Sequence, residues 1–201
     1  MLKVWVAILN FLSAAEFKIA DKLGEAVAII SHFAFFWIFP VVLIYLPLKF
    51  FAMIGILFAL FYVFVLAGDI FLSVFGHEKL EKKRGMVDIT NVHEMKAEII
   101  GALVKYVGAI ISFATIFNGL QKIFNGGAFS ISHPSPFPYF DLLYFSLVTI
   151  TTVGYGDIQP TLWVSKSFVI FEIVFGLGFV LLLFTMLISL YIDIQRKKKY
   201  K

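Results

Sequence analysis

Tyr139-Phe140-Asp141-Leu142-Leu143-Tyr144-Phe145-Ser146-Leu147-Val148-Thr149-Ile150 is followed directly by Thr151-Thr152-Val153-Gly154-Tyr155-Gly156-Asp157-Ile158-Gln159-Pro160. The first part is apolar and aromatic but only 12 residues long, and a helix needs about 20 to cross the hydrocarbon of a bilayer. The second part places two glycines one residue apart, which breaks a helix. Upstream, Asn125-Gly126-Gly127 and Pro134, Pro136 and Pro138 mark irregular, exposed chain. The stretch therefore reads as a half-length helix running into non-helical backbone.

What surrounds it is built for lipid. Of 201 residues, 61% are hydrophobic and 15% charged, where a soluble domain carries about 25% charged residues. The surplus apolar surface must face a bilayer. Four runs are long enough to span it: 26–46, in which Pro40 is expected to make a kink, then 50–75, 98–118 and 162–192. Only Pro47-Leu48-Lys49 divides the first two, so they form a tight antiparallel hairpin. Residues 1–25 read as an amphipathic helix on the membrane surface, anchored by Trp5 and Phe17, or as an extension of the first span.

Charge orients these runs. The net charge is +4, and the basic residues gather at the ends of apolar runs, which is a topology signal and not a nucleic-acid footprint. Lys79, Lys82, Lys83, Arg84 and Lys96 lie in the polar linker 76–97, and Arg196, Lys197, Lys198 and Lys199 in the tail 193–201. Placing both segments inside gives a multi-pass protein of the cell membrane with both termini cytoplasmic. The segment 119–161 is then external, and Lys122 is its only Lys or Arg. Cysteine is absent, which excludes disulfides and thiolate metal sites. No nucleophile constellation, metal cluster or phosphate loop points to an enzyme.

Irregular backbone at membrane depth is tolerated only against protein or a water-filled cavity. The half-helix and its loop must therefore line a pore built with further copies of the chain. The expected fold is an all-α membrane protein: four transmembrane helices, with a re-entrant helix and loop between the third and fourth.

Thr152-Val153-Gly154-Tyr155-Gly156 resembles the selectivity filter of the potassium channel pore family. The likeness extends over residues 140–160 and, with the flanking spans, over roughly half the chain. It implies that residues 98–192 are a pore domain of outer helix, pore helix, filter and inner helix, and that the chain is one subunit of a homotetramer passing potassium through the bilayer. A potassium ion must shed its water, and backbone carbonyls replace that water. By the resemblance these come from Thr152, Val153, Gly154 and Tyr155, with the Thr152 hydroxyl closing the inner end. Gly154 and Gly156 supply the positive φ that lets successive carbonyls point one way. Thr151, Asp157, Tyr144 and Val148 support the filter. Potassium is a permeant ligand, no cofactor is implied, and no regulatory ligand is indicated. Potassium-uptake transporters carry four such loops in one chain, where this chain has one, and a non-conducting scaffold subunit would have no need of Gly154 and Gly156.

Two positions depart from the family. Val148 stands where some members have a Glu that pairs with the filter aspartate, so Asp157 lacks that partner. Tyr144 and Phe145 stand where many have tryptophans; Phe145 has no donor to offer Tyr155, whereas Tyr144 has one. In the last helix Gly176 matches the gating hinge, or else allows close packing against a neighbour. Val180, Phe184, Thr185, Ile188 and Ile192 form a stripe suited to line a cavity. The C-terminal end of the half-helix near Ile150 would direct its negative pole at a cation in that cavity.

Glu172 lies inside the last apolar run, four residues before Gly176. A carboxyl there is costly and usually faces the bundle interior or water. Either it hydrogen-bonds a polar group such as Ser112, Thr115 or Ser146, or its protonation couples the hinge to the half-helix.

A voltage sensor would move several charges through the field, each contributing ~2.3 kcal/mol per 100 mV. Residues 26–75 hold only Lys49 and Asp69 among Asp, Glu, Lys and Arg, both near helix ends. Open probability in reconstituted protein should accordingly be nearly flat with voltage. A gating valence of several elementary charges would contradict this.

Overall fold

The computed structural model describes residues 37–46, 48–75 and 92–199. The expected surface helix 1–25, most of the first apolar run and the linker over 76–91 lie outside the described residues. Five helices and a two-stranded ribbon follow in the order α1 (Phe39–Tyr45), α2 (Lys49–Phe75), α3 (Val92–Ile123), β1 (Phe129–Ile131), α4 (Pro138–Ile150), β2 (Ile158–Pro160) and α5 (Trp163–Lys199). Among the described residues three helices are long and apolar enough to cross a membrane, over Lys49–Gly68, Ile99–Ile123 and Trp163–Thr185, while Pro138–Ile150 is apolar but short. α3 starts at Val92, inside the segment read as linker, and runs on to Ile123. α5 continues through the first basic residues of the tail.

Pro40 sits in the first turn of α1, where its missing N–H leaves no helical hydrogen bond unmade. α1 and α2 come close because Gly55 has no side chain: a Cβ there would lie 2.9 Å from the Pro40 carbonyl oxygen. α2 and α3 pack by the same device. A Cβ on Gly108 would meet the Tyr62 hydroxyl at 2.6 Å, and one on Gly119 would meet Ile56 at 2.5 Å. In lipid the hydrophobic effect no longer drives helices together, so close van der Waals approach at small residues carries much of the association.

Two lysines fasten adjoining ends of these helices. The last carbonyls of a helix lack intrahelical partners and favour a cation. Lys122 Nζ, in the last turn of α3, donates to Ile44 O at 2.5 Å and to Leu46 O at the end of α1. Lys49 Nζ, at the start of α2, donates to Ile123 O at 2.9 Å. The Tyr45 ring also lies 6.3 Å from that of Tyr139, at the start of α4. The hairpin end is thus joined directly to the helix that precedes the glycine loop.

α4 is wedged between α3 and α5 over a core rich in phenylalanine. Phe117 meets Phe129 at 5.1 Å and Phe145 at 5.5 Å, and Phe113 meets Phe175 at 5.8 Å. Phe145, which has no hydrogen bond to give, therefore serves as a buried ring of this core. The β1–β2 ribbon is antiparallel, pairing Ser130 with Gln159 and Ile131 with Ile158. It ties the chain leaving the loop to the chain entering α4.

Candidate functional site

The last turn of α4 and the loop after it share one anchor. Thr151 N–H donates to Leu147 O at 3.2 Å and Thr152 N–H to Thr149 O at 2.9 Å. Val153 N–H and Gly154 N–H both donate to Val148 O, at 2.8 and 3.0 Å. Val148, buried at the helix end, thus serves the loop through its backbone.

The backbone then alternates. Thr152, Gly154 and Gly156 have φ of 61°, 54° and 79°, while Val153 and Tyr155 between them do not have positive φ. Alternation of this kind turns successive carbonyls to one side, and the amides of 152–154 already point back at α4. A Cβ at Gly154 or Gly156 would meet nothing within 4 Å, so these glycines are demanded by backbone conformation and not by space. Thr152 is the surprise. A β-branched residue rarely adopts positive φ, and its side-chain type gives no sign of it; the sign lies in its place two residues before Gly154, where the alternation must already have begun.

Tyr144 packs its ring against the loop. Its ring stacks on that of Tyr155, with centroids 6.4 Å apart and planes 4° from parallel. Asp157 is near enough for its carboxylate charge to bear on the Tyr144 phenol. Its own carbonyl accepts from Ser132 N–H at 3.1 Å, and Gln159 Nε2 donates to Gly156 O at 3.0 Å.

Behind the loop, α5 meets the end of α4 at Gly176. A Cβ there would lie 2.6 Å from Ile150 Cγ1 and 3.0 Å from Ile150 O. The same carbonyl accepts from the Tyr106 hydroxyl of α3 at 3.3 Å. Glu172, one turn earlier on α5, is fully buried. Of the three polar groups weighed as its partners it meets Ser146, whose Oγ is 2.5 Å from Glu172 Oε1. Ser112 bonds Gly108 O, and Thr115 bonds Ile111 O and the Tyr139 hydroxyl.

The loop side chains Val153 and Tyr155 are 53% and 71% exposed in the single chain. Val180, Phe184, Thr185, Ile188 and Ile192 are exposed as well, and the Thr185 hydroxyl is bonded back to Leu181 O at 2.9 Å. The described residues contain no cluster of three or more His, Cys, Asp or Glu able to hold a metal ion. What the loop offers a ligand is backbone oxygen, the donor type that suits hard cations.

A family model described as "Ion channel" matches residues 106–193. Two-pore potassium channel 2 of Arabidopsis thaliana is 43% identical over 58 residues, 29% of this chain and 13% of that protein. Two pore potassium channel c of Oryza sativa subsp. japonica is 41% identical over 69 residues, 34% of this chain and 15% of that protein. Probable potassium channel protein 2 of Methanocaldococcus jannaschii is 35% identical over 66 residues, 33% of this chain and 19% of that protein. The chain thus matches less than a fifth of the length of each of these relatives. No solved structure matches. The family match begins in α3 and ends in α5, taking in α4, the alternating loop and Gly176, and over these residues, less than half of the chain, the protein is similar to the ion-channel family.

Proposed function

We propose that the chain is a subunit of a homotetrameric, potassium-selective channel, with Thr152 to Gly156 as its filter. The observation that carries this reading is the alternation of positive φ at Thr152, Gly154 and Gly156 together with the amides of 153 and 154 folded back onto Val148 O. Such a strand offers a row of carbonyls on the side away from α4, and one row needs three more to enclose an ion. The exposed Val153 and Tyr155 support the same conclusion, since apolar surface on a loop at the end of a buried helix calls for neighbouring subunits.

In this reading α4 is a re-entrant pore helix. Thr152, Val153, Gly154 and Tyr155 hold potassium, Tyr144 and Asp157 brace the outer mouth, and Thr151 and Val148 fix the inner end. Val180, Thr185 and Ile188 face the cavity and its cytoplasmic mouth. The basic segments face the cytoplasm, giving four crossings with both termini inside. The hairpin of α1 and α2 braces the pore domain through the paired lysines and the Tyr45–Tyr139 contact. Purified protein in planar bilayers should show unitary potassium currents blocked by barium and by quaternary ammonium ions. Bilayers that stay silent with assembled tetramer present would refute conduction.

A further inference from the structure

Ser146 has one hydroxyl proton and two oxygen neighbours that could receive it. Its Oγ lies 2.5 Å from Glu172 Oε1 on α5 and 3.0 Å from the Ile110 carbonyl oxygen on α3. A carbonyl only accepts, and an ionised carboxylate only accepts. If Glu172 were a carboxylate, one of the two short contacts would set oxygen against oxygen with no proton between them. The other carboxyl oxygen, Oε2, is buried and has no hydrogen-bond partner among the described residues. An ionised group would leave charge on that unpartnered atom in a site of 0% exposure, and an uncompensated buried charge is far more costly than an unpaired neutral carbonyl oxygen.

Both observations are met by one arrangement. We propose that Glu172 is a neutral carboxylic acid whose proton on Oε1 is donated to Ser146 Oγ, while Ser146 donates to Ile110 O, making a single directed relay across α5, α4 and α3. Every proton in this chain has an acceptor. The Tyr106 hydroxyl of α3 is turned to Ile150 O, one turn beyond Ser146 on α4. In the C-terminal half of α4, hydrogen-bonded links from α3 therefore reach Ser146 and Ile150, and α5 meets the same two points through Glu172 and Gly176. Glu172 is a positioning residue: it fixes the end of α4 that carries the loop without touching an ion. This role rests on reading α4 as the pore helix; the protonation state does not.

Infrared difference spectroscopy of the intact protein at neutral pH, parent minus Glu172→Gln, tests the proton directly. The relay predicts a protonated-carboxyl C=O band in the parent that is lost in Glu172→Gln and shifts to higher frequency in Ser146→Ala. A carboxylate band in place of the carboxyl band would overturn the proposal. The positioning role predicts that Glu172→Gln, whose amide can still donate to Ser146, keeps the parent's thermal stability and conducting lifetime, while Glu172→Leu loses both. Equal behaviour of the Gln and Leu variants would overturn that role. If the Leu variant does not assemble, Ser146→Ala takes its place: a shorter conducting lifetime is expected, and a lifetime equal to the parent's would overturn the role. The band needs no ion flow. A carboxyl band in a tetramer that passes no potassium would count against the channel reading and leave the relay standing.

Discussion

Gly154→Ala is expected to abolish potassium current while leaving the tetramer assembled. The residue sits at φ 54° with open space where a Cβ would go, so the whole effect comes from backbone strain. Holding a non-glycine residue in a sparsely populated region costs of order 1–3 kcal/mol. In the proposed tetramer, four subunits sharing one filter would multiply this to roughly 4–12 kcal/mol, enough to make the alternating strand give way to another conformation. Gly126 provides the control. It has φ 86° and equally open space, but lies in the turn after α3. Gly126→Ala should carry a similar strain per chain and leave unitary conductance unchanged. Bilayer recording of both variants decides the matter. Normal conductance in Gly154→Ala would contradict the role given to the strand.

Gly176→Ala should lower the melting temperature of the assembled protein, and Gly178→Ala should not. The two glycines lie two residues apart on α5, yet a Cβ at 176 would press on the side chain and the carbonyl of Ile150, while one at 178 meets nothing within 4 Å. Overpacking of this kind costs about 1–3 kcal/mol per chain. The open position gains up to ~1 kcal/mol of helix propensity from alanine. Because Ile150 ends the helix that carries the loop, the 176 variant should also shorten the conducting lifetime. A free hinge at 176 would give the opposite pattern, with stability unchanged and only opening affected. Thermal unfolding followed in detergent, with current recorded in parallel, separates the two.

The sequence carried more of the loop than of its surroundings. Glycines 154 and 156 announce positive φ because only glycine adopts it freely, and a 12-residue apolar run before them is too short to cross a bilayer. The left-handed Thr152 could not be read from its residue type. Nor could the stacking of Tyr144 on Tyr155, which depends on how α4 faces the loop. Glu172 stood out because a carboxyl in an apolar helix is rare, and Ser146 was among its few possible partners; the second acceptor, Ile110 O, is backbone and has no sequence signal. Lys49 read as a charge near a helix end, and Lys122 as the only Lys or Arg of the external segment. That each caps the end of another helix, joining the hairpin to α3, is a tertiary fact on which local pattern is silent.

Potassium selectivity itself is measured most directly by the reversal potential of the reconstituted protein with potassium on one side of the bilayer and sodium on the other. Carbonyls of Thr152 to Tyr155 that replace the hydration shell of potassium predict a reversal potential that moves with the potassium gradient and ignores the sodium gradient. A reversal potential near zero in equal potassium and sodium, showing the two ions to be equally permeant, would contradict the account.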